Sequence, residues 1–135
     1  IELPKSWKRW ATADREPIDT WVFGRATILG DAAHPTTQYM AQGACMAMED
    51  AVTLGEALRV TNKDWDAALA LYQKNRVTRT ARIVLSGREM GRLYHAAGVE
   101  RLVRNSLWKG RSQERFYDAM EWLYGWNVNN CLNQA

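Results

Sequence analysis

The chain has 135 residues, a net charge of +3 and 47% hydrophobic residues, a size and composition that suit one small folded domain. The charge is modest and scattered, and no apolar run is long enough to span a membrane, so we expect neither nucleic-acid binding nor membrane insertion. The two cysteines, Cys45 and Cys131, lack the spacing of a metal or redox motif. So few thiols suit a reducing compartment, and we expect a cytoplasmic protein.

Residues 1–20 are polar and irregular, and the aromatic and basic residues of Ser6–Trp10 are expected to pack on another domain. The first element with a clear pattern is Ala26–Leu29, whose apolar run with a β-branched pair predicts a buried strand. Gly30 ends this strand. Asp31 then lies at its carboxyl end, the place where α/β sheets usually bind ligands.

A loop follows from His34 to Gln42, and a helix is predicted to begin near Gly43. Residues 42–45 contain none of the Ser, Thr, Asn or Asp side chains that cap helices. The first amides of this helix are therefore expected to be free for an anion or a carbonyl group. The alternative from spacing alone is a strand–loop–helix crossover whose helix is capped by water.

The second half of the sequence predicts further helices. Asp64 is the expected cap of a helix that runs to about Tyr94, and Ser112 is the expected cap of a last helix. The first of these helices carries a row of arginines, which predicts either a nucleic-acid contact or, preferably, a solvated face or ion pairs with acids of the first half of the chain. Within residues 30–51, His34 is expected to be packed and hydrogen-bonded, and Glu49 and Asp50 to be packing or salt-bridge residues. The arginine row of the long helix comprises Arg76, Arg79 and Arg82.

Three short segments, Gly30–Pro35, Gln42–Ala44 and Glu49–Ala51, together resemble the second flavin-binding motif of FAD-dependent aromatic hydroxylases with the 4-hydroxybenzoate hydroxylase fold. Within this family the sequence is most similar to the group of 3-hydroxybenzoate 6-hydroxylases and salicylate hydroxylases. The resemblance extends to Asp14-Arg15 before the motif and to Tyr72 after it.

The resemblance implies roles for individual residues. Asp31 would bind a ribityl hydroxyl of FAD, and the backbone amides of Gly43, Ala44 and Cys45 would face the flavin ring. Gln38, where many relatives have proline, would orient the substrate or the peroxide; its alternative is a solvated loop residue. The implied co-substrate is NADH or NADPH, and the substrate is a small aromatic acid. The best guess is hydroxylation of 3-hydroxybenzoate to 2,5-dihydroxybenzoate.

The alternatives within the family are a salicylate-type or hydroxynicotinate-type hydroxylase. From a different class, a non-catalytic helical binding module would use the arginine row.

The resemblance also implies that the chain is the C-terminal portion of a longer enzyme. The sequence has no G-x-G-x-x-G phosphate loop after a strand, which the family carries in its N-terminal FAD domain. We expect residues 1–60 to end an α/β FAD-binding domain and residues 61–135 to form a C-terminal helical cluster. The fragment alone should be mostly helical, inactive and unable to bind FAD tightly. Its expected partner is the missing N-terminal domain, and the alternative is a second copy in a homodimer.

Overall fold

The computed structural model describes residues 5–133, and four helices dominate it. They are α1 (Gly43–Val60), α2 (Trp65–His95), α3 (Gly98–Trp108) and α4 (Gln113–Tyr124). Two-residue strands precede them, β1 (Val22–Phe23) and β2 (Ala26–Thr27), and 3-10 turns occupy Gly30–Ala32, Gln38–Met40 and Val128–Asn130. The expectation of a mostly helical chain is confirmed. No helix in the described range is long and apolar enough to cross a membrane.

The predicted buried strand Ala26–Leu29 is wrong in both length and burial. Only Ala26 and Thr27 are paired, to β1 in an antiparallel hairpin, and Ala26 is exposed. Gly24 has φ +61°, which lets the chain reverse between the two strands. The Ile28 amide still donates to the Trp21 carbonyl at 3.3 Å. Ile28 and Leu29 nevertheless lie outside the two strands, and the described residues contain no further strand to pair with them.

The predicted helix starts are confirmed at three positions. Helix α1 begins at Gly43, and no side chain caps it. At α2, the Asp64 carboxylate accepts hydrogen bonds from the amides of Asp66 and Ala67. At α4, the Ser112 hydroxyl accepts from the Arg115 amide. The starts of α2 and α4 follow from local chemistry, since Asp64 and Ser112 supply the acceptor that a free first turn requires.

The core lies where α1 and α2 pack together. One cluster joins residues before α1 to both helices, through Trp21, Ala33, Ala57, Ala68 and Tyr72. The second joins the Gln38–Met40 turn to the middle of α2 and to α4, through Met40, Met46, Ile83 and Leu123. Together these clusters fix the loop between β2 and α1 against α2. The division of the chain near residue 60 remains a prediction.

Candidate functional site

The N-terminus of α1 presents free backbone amides. Gln42 occupies the cap position with helical dihedral angles, and its side chain makes no capping hydrogen bond. The first intrahelical bond runs from the Met46 amide to the Gln42 carbonyl, so the amides of residues 43–45 precede it. Ala44 is exposed, and Gly43 and Cys45 are half-buried. Such an end favours a negatively charged or electron-rich group.

Asp31 lies in the 3-10 turn Gly30–Ala32, which packs directly on α1. Gly30 is buried with φ +57°, and a Cβ there would lie 3.4 Å from the Cβ of Ala47. A side chain at position 30 would therefore be strained, and glycine lets the turn approach the second turn of the helix. Asp31 itself is exposed and forms no ion pair with the described residues. Its carboxylate is thus available on the side of the turn that faces solvent.

Asp50 of α1 fixes both ends of the segment that contains Asp31. One carboxylate oxygen, Oδ2, accepts a hydrogen bond from the Gly30 amide at 2.9 Å and lies 2.6 Å from Nε2 of His34. Burial of Asp50 alone would raise its pKa. The hydrogen bonds from His34 and the Gly30 amide, with the charge of Arg76, nevertheless hold the pKa of Asp50 below its usual value. The carboxylate therefore stays ionised and keeps the turn closed.

Arg76 of α2 links this carboxylate to its neighbour on α1. Its Nε donates to Oδ1 of Asp50 and its Nη1 to Oε2 of Glu49, both at 2.7 Å. Its Nη2 donates to the Met46 carbonyl at 3.2 Å. Arg76 and Asp50 are fully buried. A buried guanidinium with two carboxylates and a carbonyl has the satisfied geometry that such charges need in a dry interior.

Arg79 extends the network to the end of α4. It donates twice to Glu49 at 2.8 Å, and its guanidinium also donates to the carbonyls of Trp122 and Leu123. The third arginine of the row, Arg82, lies over the Trp122 ring, 3.9 Å from its centroid. The expectation of ion pairs with acids of the first half of the chain is confirmed for Arg76 and Arg79. The row therefore offers no continuous basic surface for a nucleic acid.

His34 is buried, as expected for a packed and hydrogen-bonded residue. Its ring lies 5.5 Å from the Trp21 ring, centroid to centroid. Its Nε2 contacts Asp50, whereas Nδ1 has no hydrogen-bond partner among the described residues. Sequence reasoning predicted that Asp50 is a packing or salt-bridge residue but missed its bonds to His34 and Gly30. The sequence signal for these bonds was the position of Asp50 on the core face of the helix, because a buried carboxylate needs hydrogen-bond or ionic partners.

Gln38 begins the 3-10 turn between the Asp31 segment and α1. Its side chain is exposed and makes no hydrogen bond within the described range. The turn ends at Ala41, whose φ of +51° lies in the left-handed region that alanine rarely adopts. Gln38, Asp31 and the start of α1 therefore all belong to one loop region, and each leaves polar groups free.

Comparisons with known proteins identify relatives of the chain. Residues 1–86 match the family described as FAD binding domain. A 3-hydroxybenzoate 6-hydroxylase 2 from Aquipseudomonas alcaligenes is 81% identical over all 135 residues, and the chain spans 42% of that protein's length.

The chain is similar to several solved structures. Klebsiella pneumoniae HpxO complexed with FAD and uric acid has a TM-score of 0.71 and 34% identity, over 90% of this chain and 29% of its own. A salicylate hydroxylase substrate complex has a TM-score of 0.72 and 29% identity, over 93% of this chain and 30% of its own.

Proposed function

Because the chain belongs to the FAD binding domain family, we propose that it forms part of a flavin-dependent hydroxylase that acts on a phenolic aromatic acid with NADH or NADPH and O₂. The observation that carries this proposal is the set of polar groups between β2 and the start of α1 that have no hydrogen-bond partner among the described residues. Within it, one exposed carboxylate and one uncapped helix end are held together by Asp50. FAD, when bound, supplies the redox chemistry.

The polar groups of this region fit two parts of the cofactor, the ribityl chain and the flavin ring. A carboxylate such as that of Asp31 accepts hydrogen bonds from polyol hydroxyls, which a ribityl chain provides. The amides of Gly43, Ala44 and Cys45, at the positive end of the α1 dipole, suit the electron-rich edge of an isoalloxazine ring. We assign cofactor binding to these four residues. The buried network behind them keeps the carboxylate and the amides on one rigid unit.

Gln38 is proposed to orient the aromatic substrate. Its amide can donate and accept, so it suits a phenol or phenolate oxygen. The side chain is exposed in the loop, with no hydrogen bond to the described residues, and is therefore available to a ligand. The proposed reaction is hydroxylation of 3-hydroxybenzoate to 2,5-dihydroxybenzoate, supported by the relative with 81% identity.

The second candidate function is hydroxylation of salicylate, favoured by the structural similarity to a salicylate hydroxylase. Both reactions would use the same cofactor-binding residues. The two candidate functions therefore differ only in which substrate is hydroxylated. A non-catalytic nucleic-acid-binding module has less support, because Arg76 and Arg79 are buried in ion pairs.

We also propose that the protein is cytoplasmic, because both thiols of this chain, Cys45 and Cys131, are free. Helices α3 and α4 expose apolar side chains, including Leu102 and Leu107. We propose that these side chains are covered by the remainder of the parent chain or by a second copy in a homodimer. Light scattering of the full-length protein would distinguish a monomer from a dimer.

The test of the proposed function uses the purified full-length protein. We expect flavin absorption bands and, among the three monohydroxybenzoates, NADH or NADPH oxidation coupled to 2,5-dihydroxybenzoate formation from 3-hydroxybenzoate. Product formation only from salicylate would favour the second candidate. A protein without flavin bands that also fails to bind added FAD would contradict the assignment.

A Gln38→Ala variant should lose product formation while keeping its flavin, whereas Gln113→Ala, at an exposed position of α4, should change neither.

A further inference from the structure

Helix α2 contains two glycines one turn apart, Gly87 and Gly91, and both are buried. A glycine inside a helix is less favourable than alanine by about 1 kcal/mol, so a buried pair at i and i+4 requires a structural reason. Residues at this spacing lie on the same face of the helix. The pair leaves a shallow depression on α2, which we call the glycine seat.

The loop before α1 fills the glycine seat. A Cβ at Gly91 would lie 2.7 Å from Cε2 and 2.9 Å from Cδ2 of the Tyr39 ring. A Cβ at Gly87 would lie 3.4 Å from Oγ1 of Thr37 and 3.5 Å from Oγ1 of Thr36. The first two distances are shorter than van der Waals contact allows, so the ring occupies space that only glycine provides.

The Tyr39 ring is also held from the end of α2. It makes edge contacts with the Tyr94 ring at 5.9 Å and with the His95 ring at 5.7 Å, measured between centroids. The His95 ring in turn lies within hydrogen-bond distance of the Gly91 carbonyl, with Nδ1 at 2.8 Å from the oxygen. Tyr39 thus packs against α2 at Gly91 on one side and against the Tyr94 and His95 rings on another.

Gln38 lies between Thr37 and Tyr39, two of the residues that contact the glycine seat. Thr37 and Tyr39 face α2, whereas the Gln38 side chain is exposed. We propose that Gly87 and Gly91 are positioning residues, which set the height and orientation of Gln38 above the substrate by seating its neighbours. This inference rests on the proposed function of Gln38 and adds the part of α2 that determines its geometry.

The test compares two helical glycines in the full-length protein. Gly91→Ala places a methyl group in the Tyr39 ring and should displace the loop. Gly55→Ala is the matched control, because Gly55 lies in α1, is exposed and has nothing within 4 Å of an added Cβ. Hydrogen–deuterium exchange of residues 36–41 should rise in Gly91→Ala and stay unchanged in Gly55→Ala.

The functional readout is coupling, the fraction of NADH or NADPH consumption that yields hydroxylated product. We expect Gly91→Ala to lower coupling about tenfold with unchanged FAD content, since misplacing a substrate-orienting group by about 1 Å can cost on the order of 100-fold in rate. Replacing Tyr39 by Leu in the Gly91→Ala background removes the clash and should recover part of the coupling.

Several results would overturn the inference. Unchanged exchange in a folded Gly91→Ala protein would show that the ring does not need the glycine. Faster exchange with unchanged coupling would show that Gln38 is not positioned through this loop. If Gly91→Ala does not fold, Tyr39→Ala serves instead: it removes the ring that lies against Gly91 and should change exchange and coupling in the same direction. A wild-type protein without flavin would contradict the proposed function, while the exchange experiment would still test the glycine seat.

Discussion

The segment from Trp21 to His95 and the pair of helices α3 and α4 differ in what fixes them. The first segment has an apolar core and a buried ionic network in which Arg76 joins Asp50 and Glu49. Helix α3 has no buried residue, and α4 buries only Leu123. The difference indicates that this chain by itself determines the geometry around Asp31 and the start of α1. The last helices instead expose the apolar surface that another part of the protein would be needed to cover.

The largest effect should come from breaking the buried network. Arg76→Met leaves the buried Asp50 carboxylate without its arginine, while Glu49 keeps Arg79. This loss should lower the free energy of unfolding by about 3–5 kcal/mol. Urea denaturation would measure this loss. The matched variant Arg92→Met removes an arginine whose bond to Glu89 is exposed, so its stability should hardly change. Equal losses in the two variants would contradict the difference between buried and exposed ion pairs.

An intermediate effect is expected from the charge of Asp50. Because its folded-state pKa is below the ordinary value of 3.8, the carboxylate stabilises the fold above that value, and this stabilisation is lost as the pH falls through the folded-state pKa. Asp50→Asn should therefore cost about 2 kcal/mol near neutral pH. The difference from wild type should narrow in strongly acidic solution.

The control for this pH profile is Asp118→Asn, because Asp118 is exposed on α4. Its unfolding free energy should follow the wild type at every pH. A constant difference between wild type and Asp50→Asn down to pH 2 would mean that ionisation of Asp50 does not stabilise the fold.

The smallest effect is expected on α3. Leu102 is 64% exposed, so Leu102→Gln should change the stability of the 135-residue chain by less than about 0.5 kcal/mol. In a longer parent protein that covers this face, the same substitution should cost about 1.5–3 kcal/mol, the value of burying a leucine. Thermal unfolding of both proteins would measure the difference. If Leu102→Gln changes the stability of neither protein, α3 is solvent-exposed in the parent protein as well.

Sequence reasoning succeeded where the determinants are local. The caps at Asp64 and Ser112 and the bare start at Gly43 follow from which side chains stand beside the first turn. The strand prediction failed because a strand requires a neighbour, and the described residues supply only the two-residue β1.

The network behind the candidate site could be predicted only in part, because its members are far apart in sequence. Asp50 meets His34 across 16 residues and Arg76 across 26. The arginine spacing indicated ion pairs with acids of the first half of the chain, but no periodicity indicated that one carboxylate would hold both ends of the Asp31 turn. The seating of Tyr39 on Gly91 likewise depends on how α2 crosses the loop.

The most direct test of the central claim is the FAD dissociation constant of the full-length protein and its Asp31→Ala variant, measured by fluorescence titration of the apoprotein. The account predicts binding about 10- to 100-fold weaker in the variant, the value of one hydrogen bond to a charged group. Asp118→Ala, which removes an exposed carboxylate on α4, should bind like the wild type. Equal affinity of wild type and Asp31→Ala would contradict the assignment of this carboxylate, with the start of α1, to the flavin.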